Sequence, residues 1–171
     1  NAGLLAITLS LAAMLFYIWI RFEWQFSLGA IIALIHDVIL TLGIFSLLSY
    51  EINLSIVAAV LTIVGYSMND TVVIFDRVRE NLKKYSQLKI AEISNLSTNE
   101  TLSRTLITSI TTLLALFSIF IFGGAILKGF SFAMIIGVIV GTYSSIFVAT
   151  PILNYTNVSQ KTVLKEDKNI N

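Results

Sequence analysis

Residues 65–81 read GYSMNDTVVIFDRVREN. The string starts inside a long apolar run and passes one aspartate, Asp70. It leaves the run through Asp76, Arg77, Arg79 and Glu80. The run itself, 52–75, is long enough to cross a hydrocarbon core of roughly 30 Å, which takes about 20 helical residues. An aspartate near the centre of such a helix costs about 2.5–3.5 kcal/mol on insertion scales, so it persists where it has a partner or a task. The string therefore reads as a membrane-spanning helix with a candidate functional carboxylate.

Working outward, four more apolar runs appear, at 2–20, 26–50, 105–127 and 129–153. The composition agrees: of 171 residues, 56% are hydrophobic and 12% charged, with a mean hydropathy of +0.86. A soluble domain carries about 25% charged residues. Half that charge cannot cover a water-facing surface, so lipid is the solvent for much of the chain. Only helices and closed barrels satisfy the backbone in lipid, and runs of this length are helical. The expected fold is all-α, a polytopic bundle over residues 2–153. Its five transmembrane helices lie at about 2–20, 26–50, 52–75, 101–127 and 129–153. A cytoplasmic loop, 76–100, interrupts it, its first part, 76–89, reading as a continuation of the third helix, and a polar tail, 154–171, follows. The connectors at 21–25, at 50–53 and around Lys128 are short, which makes neighbouring helices antiparallel. The sequence Ser97-Thr98-Asn99-Glu100 has capping-box spacing and predicts a helix start near Ser97. There is no cysteine, and hence no disulfide or thiolate metal site. The first residue is Asn1 and an apolar run follows at once, which reads as a piece of a longer protein.

Lysines and arginines set the expected orientation. With five spans, Arg21, the group Arg77, Arg79, Lys83, Lys84, Lys89 and Arg104, and the tail residues Lys161, Lys165 and Lys168 share one side. Lys128 alone lies opposite. The polar segment and the C-terminus are therefore expected in the cytoplasm. The net charge of +1 reflects this topology and gives no reason to invoke nucleic acid.

Three features inside the spans carry chemistry. The pair His36–Asp37 lies near the middle of the second helix. Asp70 lies on the third, with Tyr66 one turn away on the same face. Arg104 stands at the mouth of the fourth, followed by a hydroxyl stripe of Thr101, Thr105, Thr108 and Thr112. Helices three and four meet on the cytoplasmic side, so Asp70 and Arg104 fall at similar depth. Burial and a nearby arginine push a carboxyl's protonation in opposite directions. A pair that forms and breaks would make a proton relay; a static ion pair that only orients helices is the plainer reading. Asp37 is equally readable as a structural hydrogen-bonding group or a proton handler, and His36 as its packing neighbour, since no ligand cluster for a metal accompanies it. On the fifth helix, Gly137 and Gly141, extended by Ser145 and Ala149, form a small-residue stripe for close helix packing.

These residues resemble the SecF family of bacterial protein-export proteins. GYSMNDTVVIFDRVREN (65–81), NETLSRTLITSITTLLALFSIFIFGG (99–124) and GVIVGTYSSIFVATPIL (137–153) look like its signature segments, in the expected order, and the His36–Asp37 pair fits as well. The resemblance implies one half of a transporter of the resistance-nodulation-division (RND) group, with six spans and a large periplasmic domain between the first two. It implies a multi-pass protein of the bacterial inner membrane that pairs with a SecD-like half. That pair assists the SecYEG channel and uses the proton gradient to draw exported preproteins across. By analogy, Asp70 is the intramembrane carboxylate of the proton path and Arg104 its basic partner, with a further carboxylate from SecD. Asn69, Tyr66 and Thr71 are supporting residues, with Asp37, His36 and Thr108 as further candidates. Neither a cofactor nor a metal is implied, and no enzymatic activity. The family's first span and periplasmic domain are not in this chain. Three other readings stay open: an RND-type transporter half for lipids or small molecules, an intramembrane aspartyl protease using Asp37 and Asp70, and a scaffold without a relay. The protease reading lacks the usual GxGD context.

Overall fold

The computed structural model describes residues 2–49, 53–85, 87–156, 158–159 and 163. Five long helices follow one another: α1 (Ala2–Arg21), α2 (Trp24–Leu47), α3 (Leu54–Lys84), α4 (Ile90–Phe122) and α5 (Gly124–Ser144). A π-helical turn, Ser145–Ala149, joins α5 to a last short helix, α6 (Thr150–Tyr155). Among the described residues four helical stretches are long and apolar enough to cross a membrane: α2, α3, α4 and the continuous run from α5 through α6. The expected helical membrane bundle is thus present, with four such spans where the sequence reading counts five. Lys161, Lys165 and Lys168, and most of the 50–53 connector, lie outside the described residues.

The expected continuation of the third helix beyond residue 75 is present, reaching Lys84, while two boundaries differ from expectation, each for a local reason. The segment 76–100 is mostly helix, because α3 runs on to Lys84 and α4 begins at Ile90. The start of α4 is fixed at Lys89, whose backbone N–H donates to Glu92 Oε2 at 3.0 Å. Ser97 is an interior residue instead of a cap: its hydroxyl donates back to the Ile93 carbonyl at 2.7 Å. The turn between α4 and α5 falls at Gly123–Gly124, and Lys128 sits inside α5. Gly124 has φ +72°, a left-handed conformation that glycine adopts without penalty, and a Cβ on Gly123 would overlap the Ile119 carbonyl.

Helix α3 is the centre of the bundle, in contact with α1, α2, α4 and α5; its most extensive interface is with α5. Lipid tails are as apolar as the side chains, so association inside a membrane depends on close packing more than on hydrophobic drive. The small residues of α5 supply it. A Cβ on Gly137 would overlap Ile63, and one on Gly141 would lie 3.0 Å from Ser67 Cβ. The pairs 63–137 and 67–141 advance together, so α3 and α5 run parallel. Asn53 starts α3 by accepting a hydrogen bond from the Ile56 N–H at 3.1 Å.

The buried side chains form two apolar clusters. One includes Ile18, Phe22, Phe26, Phe75, Val78 and Leu153. Its aromatic rings interlock, with Phe26 edge-on to Phe75 at a centroid distance of 5.3 Å. The other includes Phe45, Ile56, Ile63, Leu116, Met134 and Val138. Between them, on α2, α3 and α5, the chain buries Asp37, Ser67, Asp70, Thr71 and Ser144.

Candidate functional site

Asp37 occupies the α2 side of this polar layer and is 1% exposed. Its Oδ2 accepts two hydrogen bonds, from Ser67 Oγ of α3 at 2.5 Å and from Ser144 Oγ of α5 at 2.7 Å. Its Oδ1 lies 3.0 Å from His36 Nδ1. One carboxylate therefore ties three helices together, and both of its oxygens are engaged. A buried carboxylate is tolerable only under such conditions, since an unpaired charge in an apolar interior is strongly disfavoured.

Asp70 is 4% exposed, three residues past Ser67 on α3. Its Oδ2 is buried with no hydrogen-bond partner among the described residues. Arg104, on α4, is exposed and near enough to act on the Asp70 carboxyl electrostatically, without closing a direct ion pair. The two aspartates share no hydrogen bond with each other. That is the opposite of the proton-sharing dyad an aspartyl protease needs.

The other expected residues distribute as follows. The Tyr66 hydroxyl is buried without a hydrogen-bond partner among the described residues, while its ring rests against the Phe45–Met134 cluster. Thr71 is buried and its hydroxyl donates to the Ser67 carbonyl at 3.2 Å. Asn69 and Thr108 are exposed, and Thr108 spends its hydroxyl on the Arg104 carbonyl at 2.6 Å. The hydroxyl stripe of α4 is therefore split. Its buried line is Ser97, Thr101, Thr105 and Ser109, at strict i, i+4 spacing, whereas Thr108 belongs to the outer face of α4 with Arg104. Ser145 is buried and its hydroxyl donates to the Thr142 carbonyl at 3.0 Å. Among the described residues no group of three His, Cys, Asp or Glu could hold a metal ion.

Sequence reasoning missed Ser67 and Ser144. Ser67 stands inside the opening string, and Ser144 is one position off the 137–141–145 stripe. A serine each on two further helices, facing a buried carboxylate, is the signal that could have found them.

At the polar end of α3 the geometry is ionic. Arg77 Nε donates to Glu100 Oε2 at 2.7 Å and Arg77 Nη1 to Glu80 Oε2 at 2.6 Å. The buried Asn81 amide donates to both Ser97 Oγ at 3.0 Å and Glu100 Oε2 at 2.7 Å. Arg21 pairs with Asp76 at 3.1 Å and Arg79 with Glu23 at 3.4 Å. These contacts fasten α4 and the α1–α2 junction to the end of α3.

The chain is similar to known proteins in sequence and in fold. A family model described as the C-terminal part of the protein export membrane proteins SecD and SecF matches residues 1–159. The protein translocase subunit SecF of Cereibacter sphaeroides is 50% identical over 168 residues, covering 98% of this chain and 52% of that protein. The SecF of Rickettsia bellii is 58% identical over 153 residues, covering 90% of this chain and 50% of that protein. The chain thus spans about half the length of the curated relatives it matches. The crystal structure of SecDF from Thermus thermophilus, described as a translocon-associated membrane protein, superposes with a TM-score of 0.87 at 43% identity. That match covers 92% of this chain and 22% of the other. The chain belongs to the SecD/SecF C-terminal family of protein-export membrane proteins.

Proposed function

We propose that this chain is the membrane-embedded C-terminal half of a SecF-type subunit, and that it serves protein export by carrying protons rather than by catalysing a covalent reaction. The observation that carries the reading is Asp70: a buried carboxylate with an unpartnered oxygen, acted on by an arginine from the next helix. A carboxyl engaged on both oxygens is held in place, whereas one with an unbonded oxygen and a basic neighbour has what it needs to gain and lose a proton. Arg104 would favour the charged form when close and release it when α4 moves.

The exposed polar residues Asn69, Arg104 and Thr108 support a partner on that side. Lipid is a poor neighbour for them, and a SecD-like half in the bacterial inner membrane would cover them. The SecYEG channel and exported preproteins would be engaged through parts of the complex beyond this chain. The basic residues around the α3–α4 junction favour a cytoplasmic location for that end and, because two spans follow it, for the end of α6 as well.

The test is Asp70→Asn in the full SecDF complex, in vesicles that import a preprotein under an imposed proton gradient. The gradient-dependent part of export should fall at least about tenfold, in line with loss of a proton-transfer group. Export unchanged by the substitution would leave a scaffold and defeat the relay.

A further inference from the structure

We infer that Ser67 is a positioning residue for Asp70: by tying α3 to Asp37 of α2, it fixes the rotation at which α3 presents Asp70 to α4. This rests on the reading of Asp70 as the proton carrier.

The geometry runs through a single helix turn. At 3.6 residues per turn, Ser67 and Asp70 lie about 4.5 Å apart along the axis and about 60° apart around it. Ser67 faces α2 and α5: its hydroxyl donates to Asp37 Oδ2 at 2.5 Å, and Gly141 leaves room for its Cβ. The side of α3 turned toward α4 is marked by Arg77 and Asn81, which bond to Glu100 and Ser97. Asp70 lies between these two fastenings, three residues after the first and seven before the second. A rotation of α3 that moved Asp70 relative to Arg104 must stretch the Ser67–Asp37 hydrogen bond. Asp37 cannot follow freely, because Ser144 of α5 holds the same oxygen and His36 lies against the other.

The charged and titratable groups around Asp70 are few among the described residues. Helix α4 contributes Arg104, the charge that acts on it. Helix α2 contributes Asp37 and His36, both on the far side of Ser67. Tyr66 lies one turn away on α3 itself, and α5 brings uncharged hydroxyls, Ser144 on Asp37 and Thr142 on Ser109 of α4. Arg21 of α1 is engaged by Asp76. The Ser67 hydroxyl therefore acts on Asp70 through helix position, with no contact of its own.

The experiment is infrared difference spectroscopy of the full SecDF complex in vesicles, titrated with pH. The Asp70 signal is the carboxyl band that Asp70→Asn removes. Ser67→Ala should shift its midpoint by about half a unit to one unit, the scale of one lost hydrogen bond. Ser144→Ala, which leaves the Ser67–Asp37 bond in place, should shift it less. Gly124→Ala, a strained substitution in a distant turn, should leave it where it was. A midpoint unmoved by Ser67→Ala, or moved equally by Gly124→Ala, overturns the positioning role and leaves the proton-carrier reading intact. If no carboxyl band is lost in Asp70→Asn, the proton-carrier reading fails first and the positioning role falls with it.

Discussion

Two aspartates lie in one polar layer of this bundle, one turn of α3 apart in depth, and they are treated in opposite ways. Asp37 has donors from two other helices and a histidine beside it. Asp70 has a buried oxygen with nothing bonded to it. Burial alone therefore does not mark a functional carboxylate. Hydrogen bonding separates the two: both oxygens of Asp37 are engaged, while Asp70 keeps the unbonded oxygen that the proposed relay needs.

Substitutions can break or sharpen that contrast. The largest effect on stability is expected from Asp37→Ala, which removes the acceptor of the buried Ser67 hydroxyl and leaves Ser144 only the Gly141 carbonyl at 3.2 Å. Leaving a buried hydrogen-bonding group unsatisfied costs about 1–3 kcal/mol, so the loss should reach about 3 kcal/mol. Thermal unfolding of the complex in detergent measures it. Asp70→Ala in the same assay should be neutral or stabilising while export is lost. If Asp70→Ala proved the more destabilising of the two, the contrast would collapse.

Next in size is Gly137→Val. The added side chain would run into Ile63, on the α3–α5 interface just beyond Ser67. Overpacking of this kind costs about 1–3 kcal/mol, read in the same unfolding assay. Gly124→Ala is expected to cost about 1 kcal/mol, from the positive φ that alanine tolerates poorly. Because it lies far from both aspartates, it should lower the melting temperature without altering the pH profile of export. The smallest effect belongs to the ionic fastening at the end of α3. Arg77 and Glu100 are partly exposed there, and surface pairs are weakened by salt. Arg77→Gln should be detectable at low salt and vanish at high salt.

Much of this was legible in the sequence, for identifiable reasons. Hydropathy located the helices because lipid leaves the backbone no alternative. The small-residue stripe announced the face of α5 that α3 would approach, and Gly137 and Gly141 meet Ile63 and Ser67 as that stripe implies. Asp70 and Arg104 were placed at one depth by counting inward from the charged ends. The ends of α4 were not legible in the same way. Ser97–Glu100 imitates a helix start because serine favours both caps and buried back-bonded positions, and here it takes the second. Gly123–Gly124 was passed over in favour of Lys128 because a charge looks like an interface marker, whereas the turn needed a left-handed residue. Ser67 and Ser144 were hidden for a deeper reason. A serine in an apolar helix is cheap, and only the neighbouring helix reveals that it faces a carboxylate.

The π turn at Ser145–Ala149 shifts the phase of everything after it. Before it, α5 buries Met134, Gly137, Val138, Gly141 and Ser144; after it, the buried positions are Ala149, Thr150 and Leu153. One extra residue per turn rotates the later set by about 100°, a step no regular α-helical count would produce. The local chemistry holds the extra residue in: Pro151 offers no N–H, and the Thr150 hydroxyl reaches back five residues to the Ser145 carbonyl at 2.9 Å. Deleting one residue from this turn would restore an ordinary helix and keep every span long enough. It would also swing Leu153 away from Phe22 and Phe75, so that the end of the bundle came out of step with its beginning.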